Sequence, residues 1–113
     1  MNNTYAIGDI HGCLDKLKDL LTKINPGQDD LTIFLGDYID RSPNPKEVVD
    51  FLIDFTAQIP CIFLRGNHED MFLEFLEYGT NKTIFFANGG LKTIDSYVQP
   101  EPFSSHVNVA RCL

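Results

Sequence analysis

The stretch Leu31-Thr32-Ile33-Phe34-Leu35-Gly36-Asp37-Tyr38-Ile39-Asp40-Arg41 decides the fold class, because it sets a short strand-like run directly against a dense polar cluster. Its first residues carry apolar side chains on both alternating faces, so the strand they form wants cover above and below its sheet. Gly36 breaks the run, and two carboxylates and an arginine follow at once. The same arrangement occurs twice more. Thr4 to Gly8 is a short apolar run leading into Gly8-Asp9-Ile10-His11-Gly12, and Cys61-Ile62-Phe63-Leu64 leads through Arg65 into Gly66-Asn67-His68-Glu69.

Between these runs the apolar period changes. Leu14, Leu17, Leu20, Leu21 and Ile24 recur at helical spacing, with Asp15, Lys16, Lys18 and Asp19 on the other side. Pro45 to Gln58 is predicted as a second helix, with proline suited to its first turn and Val48, Val49, Leu52 and Phe55 on its buried face. His68 to Tyr78 is predicted as a third, with Phe72, Phe75 and Leu76 on one side, and a weaker fourth covers roughly Leu91 to Val98. Asp15, Asp19, Glu47, Asp50 and Asp54 are expected on solvated helix faces. The βαβαβα order predicts an α/β fold with parallel strands. Gln99 to Leu113, with Pro100 and Pro102, is expected to be irregular.

A chain of 113 residues with 43% hydrophobic residues is expected to form one domain, residues 1–113. Nine Lys+Arg against sixteen Asp+Glu give a formal charge of −7, a poor basis for binding a nucleic-acid backbone or an anionic membrane. A phosphorylated substrate remains compatible, since arginines or metal ions reverse the field within one cleft. No run of eighteen apolar residues is present, and Met1 to Ile7 lacks the basic and apolar regions of a secretory signal. Cys13, Cys61 and Cys112 are odd in number and widely spaced, which suits reduced thiols in a cytoplasmic protein.

In open α/β sheets ligands bind beyond the carboxyl ends of the strands, where all three polar clusters fall, and right-handed crossovers keep those ends on one edge. The residue types suit metal ions. Asp9 and His11 offer a carboxylate oxygen and an imidazole nitrogen, Asp37 can bridge two cations, and Asn67 can offer an amide oxygen. A mixed oxygen and nitrogen donor set fits Mn²⁺, Fe or Zn²⁺ without choosing among them. Cys13 is expected to be a filler beside the first loop. A pair of cations roughly 3.5–4 Å apart lowers the pKa of a shared water and holds phosphoryl oxygens for in-line attack. His68 would then protonate the leaving oxygen, Asp40 would orient it, and Arg41 would grip the phosphate. Arg65 is open to either a substrate contact or an acidic neighbour, and Glu69 is expected to support a helix start. His106 is expected to be solvated or locally satisfied.

Asp9-x-His11, Gly36-Asp37-x-x-Asp40-Arg41 and Gly66-Asn67-His68-Glu69 together resemble the calcineurin-like metallophosphoesterases. The branch is the one that holds serine/threonine phosphoprotein phosphatases and bacterial diadenosine tetraphosphatases. Asn88-Gly89-Gly90, Thr93 and Ser96-Tyr97 resemble its bacterial members, and the likeness spans residues 4–98. The resemblance implies the first half of a four-layer α/β/β/α sandwich. It implies a first metal on Asp9, His11 and Asp37, a second on Asp37 and Asn67, His68 paired with Asp40 as the acid, and Arg41 with Asn67 on the phosphate. Two divalent ions, Mn²⁺ first among them, are the implied cofactors. Ser42 stands where glycine is usual in the family, and the two further histidine ligands of the family's second half have no match here. The expected function is therefore phosphate-monoester hydrolysis of the serine/threonine phosphatase type, with diadenosine tetraphosphate hydrolysis as the alternative enzyme. The chain is expected to be C-terminally incomplete and to have little or no activity alone. A non-catalytic metal-binding remnant is the competing class, whereas a dinucleotide-binding unit fails for want of G-x-G-x-x-G spacing.

Overall fold

Each short apolar run forms a strand and each amphipathic stretch a helix in the computed structural model, which describes residues 2–98. The order is β1 (Thr4–Ile7), α1 (Leu14–Ile24), β2 (Leu31–Phe34), α2 (Pro45–Thr56), β3 (Cys61–Phe63), α3 (Asn67–Tyr78), α4 (Lys82–Ala87) and α5 (Gly90–Tyr97). The strands make one parallel sheet in the order β1-β2-β3. Its register places Ile7 beside Phe34 and Phe34 beside Phe63. These are the last residues of their strands, so the three polar loops leave the sheet side by side.

One face of the sheet carries the core. Phe34, fully buried, packs with Ile7, with Leu17 and Leu21 of α1, and with Val48 and Leu52 of α2. Phe34 also stacks on Phe63 and meets Phe55 edge-on. The opposite face follows the two-sided apolar pattern, and Leu35, Ile62 and Leu64 on it are exposed among the described residues. A second apolar cluster lies farther along the chain. Phe85 of α4 is fully buried and contacts Phe72 and Phe75 of α3 and Phe86. Helix ends follow local chemistry: α1 stops at Asn25 and α3 at Gly79, each left-handed and each returning its N–H to the preceding turn.

The expected order of elements holds, with local corrections: β2 and β3 stop one residue short of their apolar runs, at Phe34 and Phe63. α2 ends at Thr56 rather than Gln58, and α3 begins one residue early, at Asn67. The single weak helix expected over 91–98 is preceded by a separate one, α4, since Asn88-Gly89 breaks what would otherwise run on. Glu47 is half-buried rather than on a solvated face, and its Oε2 is buried. The expectations for His106 and for an irregular 99–113 lie outside the described residues.

Tyr38 pins the second loop to the sheet, its hydroxyl shared between Leu64 O at 2.6 Å and Phe34 O at 3.2 Å. Burial first, and then the negative charges of Glu69 and Asp37, push its phenol up to about 12. The fold thus binds the neutral phenol, and this contribution is complete below the unfolded value near 10 and lost as pH rises through about 12. Tyr38→Phe is expected to flatten the loss of stability over that window, read by urea unfolding at several alkaline pH values. Identical alkaline profiles for both proteins would contradict this role.

Candidate metal and phosphate site

Backbone hydrogen bonds join the first two loops before any side chain is considered. Ile10 N–H and His11 N–H both donate to Asp37 O, at 3.1 and 2.9 Å, and Gly12 N–H donates to Tyr38 O at 2.8 Å. Loops two and three touch backbone to backbone. A Cβ on Gly36 would strike Gly66, and one on Gly66 would strike Asp37, so glycine at both positions allows the approach. Four polar residues here take left-handed backbone conformations: His11 (φ 45°), Asp37 (57°), Asp40 (72°) and Arg41 (72°). Such conformations cost on the order of 1–3 kcal/mol each and gather where a fold must aim side chains.

Glu69 holds two loops together. Its Oε1 accepts from Asp37 N–H at 2.6 Å and Gly66 N–H at 2.9 Å, and its Oε2 accepts from Tyr38 N–H at 2.8 Å. The sequence pattern marks this residue only as support for a helix start, because its partners on the second loop are distant in the chain. Glu69→Ala would strip three backbone donors of an ionised partner, and water would replace part of the loss. A stability decrease of about 1.5–3 kcal/mol is expected in urea unfolding. An unchanged midpoint would show that the carboxylate is dispensable to the loops.

One ligand atom each from Asp9, His11 and Asp37 lies within 4.8 Å of the others. The chemistry of this donor set fits a divalent cation. His11 Nδ1 lies 2.8 Å from Ile39 O, and a carbonyl can only accept, so Nδ1 carries a proton and, in the neutral ring, Nε2 is the nitrogen with the lone pair. That Nε2 stands 3.9 Å from Asp9 Oδ2. Asp37 Oδ1 accepts the His68 N–H at 3.0 Å, which sets the start of α3, with Asn67 as its exposed first residue, against the Asp37 carboxylate.

His68 is buried, and its Nδ1 meets the fully buried Asp40 Oδ2 at 2.7 Å. Its ring lies edge-on to that of His11 with centroids 4.5 Å apart, so the pair adjoins the cluster of Asp9, His11 and Asp37. Arg41 is exposed, and its backbone N–H donates to Gly89 O at 3.1 Å. Of the two options for Arg65, the structure gives the acidic neighbour, an exposed ion pair with Asp70. Cys13 contacts Ser42 Oγ at 3.2 Å. Thr93 Oγ1 bonds Asp40 at both its backbone N–H and its carboxylate. Thr93 carried no role in the sequence pattern, since nothing local connects a helical threonine with a loop more than fifty residues earlier.

The calcineurin-like phosphoesterase family model matches residues 3–110. The symmetrical bis(5'-nucleosyl)-tetraphosphatase of Coxiella burnetii (strain RSA 493 / Nine Mile phase I) is 44% identical over 78 residues, 68% of this chain and 25% of that protein. The protein of the same name from Pseudomonas putida (strain GB-1) is 40% identical over 68 residues, 58% of this chain and 23% of that protein. The chain thus spans about a quarter of the length of the curated relatives it matches.

Proposed function

The chain belongs to the calcineurin-like phosphoesterase family, and from that premise we propose that it hydrolyses phosphate esters with divalent cations held by Asp9, His11, Asp37 and Asn67. The observation that carries this reading is the donor trio of Asp9, His11 and Asp37, with the His11 tautomer fixed by Ile39 O, set directly against the His68–Asp40 pair. When bound, such cations supply Lewis-acid charge and lower the pKa of water.

The protein's own groups do the rest. Asp40 holds the Nδ1 side of His68, so when the ring is protonated at both nitrogens Nε2–H is the group left to deliver a proton to the departing oxygen. The Arg41 guanidinium binds the phosphate with its planar fork, and Asn67 adds a contact from the start of α3. Asp9, His11 and Asp37 would hold a first cation with two carboxylates and an imidazole, whereas only Asp37 and Asn67 among the residues assigned would hold a second. A second cation held by those two alone would be poorly positioned, which would slow the reaction.

Two substrate classes share this metal core. The relatives from Coxiella burnetii and Pseudomonas putida favour a dinucleoside tetraphosphate, because both are named for that activity. The phosphoserine or phosphothreonine protein rests on a motif set common to both groups. The test is phosphate release from diadenosine tetraphosphate, a phosphothreonine peptide and p-nitrophenyl phosphate at saturating Mn²⁺. The expected result is turnover that requires Mn²⁺, is slower than about one per second, and is greatest on the dinucleotide. Turnover that persists with the metal chelated would overturn the reading, and preference for the peptide would shift the substrate class.

A further inference from the structure

Thr93 belongs to α5, outside all three polar loops, and is fully buried. Its hydroxyl makes two bonds to one residue: it accepts the Asp40 backbone N–H at 2.8 Å and donates to Asp40 Oδ1 at 2.5 Å. A carboxylate free to turn about its Cβ–Cγ bond would present either oxygen, or neither, to a neighbour. Fixing Oδ1 fixes Oδ2, and Oδ2 is the atom that meets His68 Nδ1 at 2.7 Å. The backbone bond holds Asp40 itself, whose backbone is left-handed.

α5 is in turn anchored. Ser96 Oγ donates to Thr93 O at 2.9 Å and accepts the Lys46 N–H at 3.2 Å, in the first turn of α2. Gly89, just before α5, accepts the Arg41 N–H and lies so close that a Cβ there would collide with the Arg41 backbone. The start of α5 and its first turn therefore grip two consecutive residues of the second loop.

We propose that Thr93 is a positioning residue that sets the rotation of the Asp40 carboxylate, and through it the tautomer and orientation of the His68 ring. The proposal rests on His68 as the proton donor for its catalytic meaning, but the hydrogen-bond chain is measurable with no substrate present. Thr93→Val keeps shape and burial while removing the oxygen, and Thr93→Ser keeps the oxygen. In the full 15N-labelled, metal-free chain, at one fixed pH chosen so that the His68 ring is neutral, the ring signals are assigned by their disappearance in His68→Asn. Wild type and Thr93→Ser are expected to show a low-field Nδ1–H proton and the Nδ1–H tautomer. Thr93→Val is expected to lose that proton signal and to mix tautomers, while its Mn²⁺ affinity stays that of wild type. Retained wild-type ring signals in Thr93→Val, or their loss in Thr93→Ser, would overturn the proposal. Where Thr93→Val does not fold, Thr93→Ala, which leaves room for a water at the Asp40 N–H, is read in its place by the same two outcomes. Absence of phosphoesterase turnover would count against the proposed function and leave this readout standing.

Discussion

His11→Ala is expected to lower the Mn²⁺ affinity of the chain by about a hundredfold or more, at the upper end of what losing even an outer partner of a ligand costs. His11 supplies the single nitrogen of the donor trio and is oriented before any ion arrives, because its Nδ1–H is committed to Ile39 O. The loop does not depend on the side chain. The N–H groups of Ile10 and His11 both reach Asp37 O, and Gly12 reaches Tyr38 O. Truncation should therefore remove a ligand and leave the fold in place, apart from some relief of the left-handed backbone at residue 11. Calorimetric titration of wild type and variant, with thermal unfolding as the control, separates the two effects. Equal affinities would place the imidazole outside the metal's coordination.

His68→Asn is expected to lower turnover of alkyl phosphates by about 10²–10⁴, the usual contribution of a positioned general acid. Metal content should stay the same, since the proposed ligands are other residues. Asparagine remains polar beside the buried Asp40, which limits the cost of replacing a ring that is almost wholly enclosed. The loss should shrink on aryl phosphates, whose leaving oxygen needs little help from a proton. An equal loss on both substrates would make His68 a group that positions rather than protonates.

The sequence and the structure agree where chemistry is local. An apolar run, a glycine and a polar cluster mark the end of a strand, and three such ends on one parallel sheet have to lie together, as the Ile7, Phe34 and Phe63 row shows. The nearness of Asp9, His11 and Asp37 was therefore legible in advance. The buttresses were not, because their partners are set by tertiary packing. Glu69 reads as a helix-start carboxylate, yet it holds Asp37 and Tyr38 across a gap of more than thirty residues. Thr93 belongs to the stretch that resembles the bacterial members but carries no role there, yet it holds Asp40 across fifty-three. α4 escaped for a different reason: its short Lys82–Ala87 span offers too few turns to display a period.

The central claim is that two loops, distant in sequence, aim Asp9, His11 and Asp37 at one divalent cation. A crystal of the chain soaked in Mn²⁺ and measured for anomalous scattering tests it most directly. The strongest peak is expected at direct bonding distance from Asp9, His11 Nε2 and Asp37, and it should vanish in His11→Ala crystals. A strongest peak elsewhere on the acidic surface, with no density among these three side chains, would contradict the assignment.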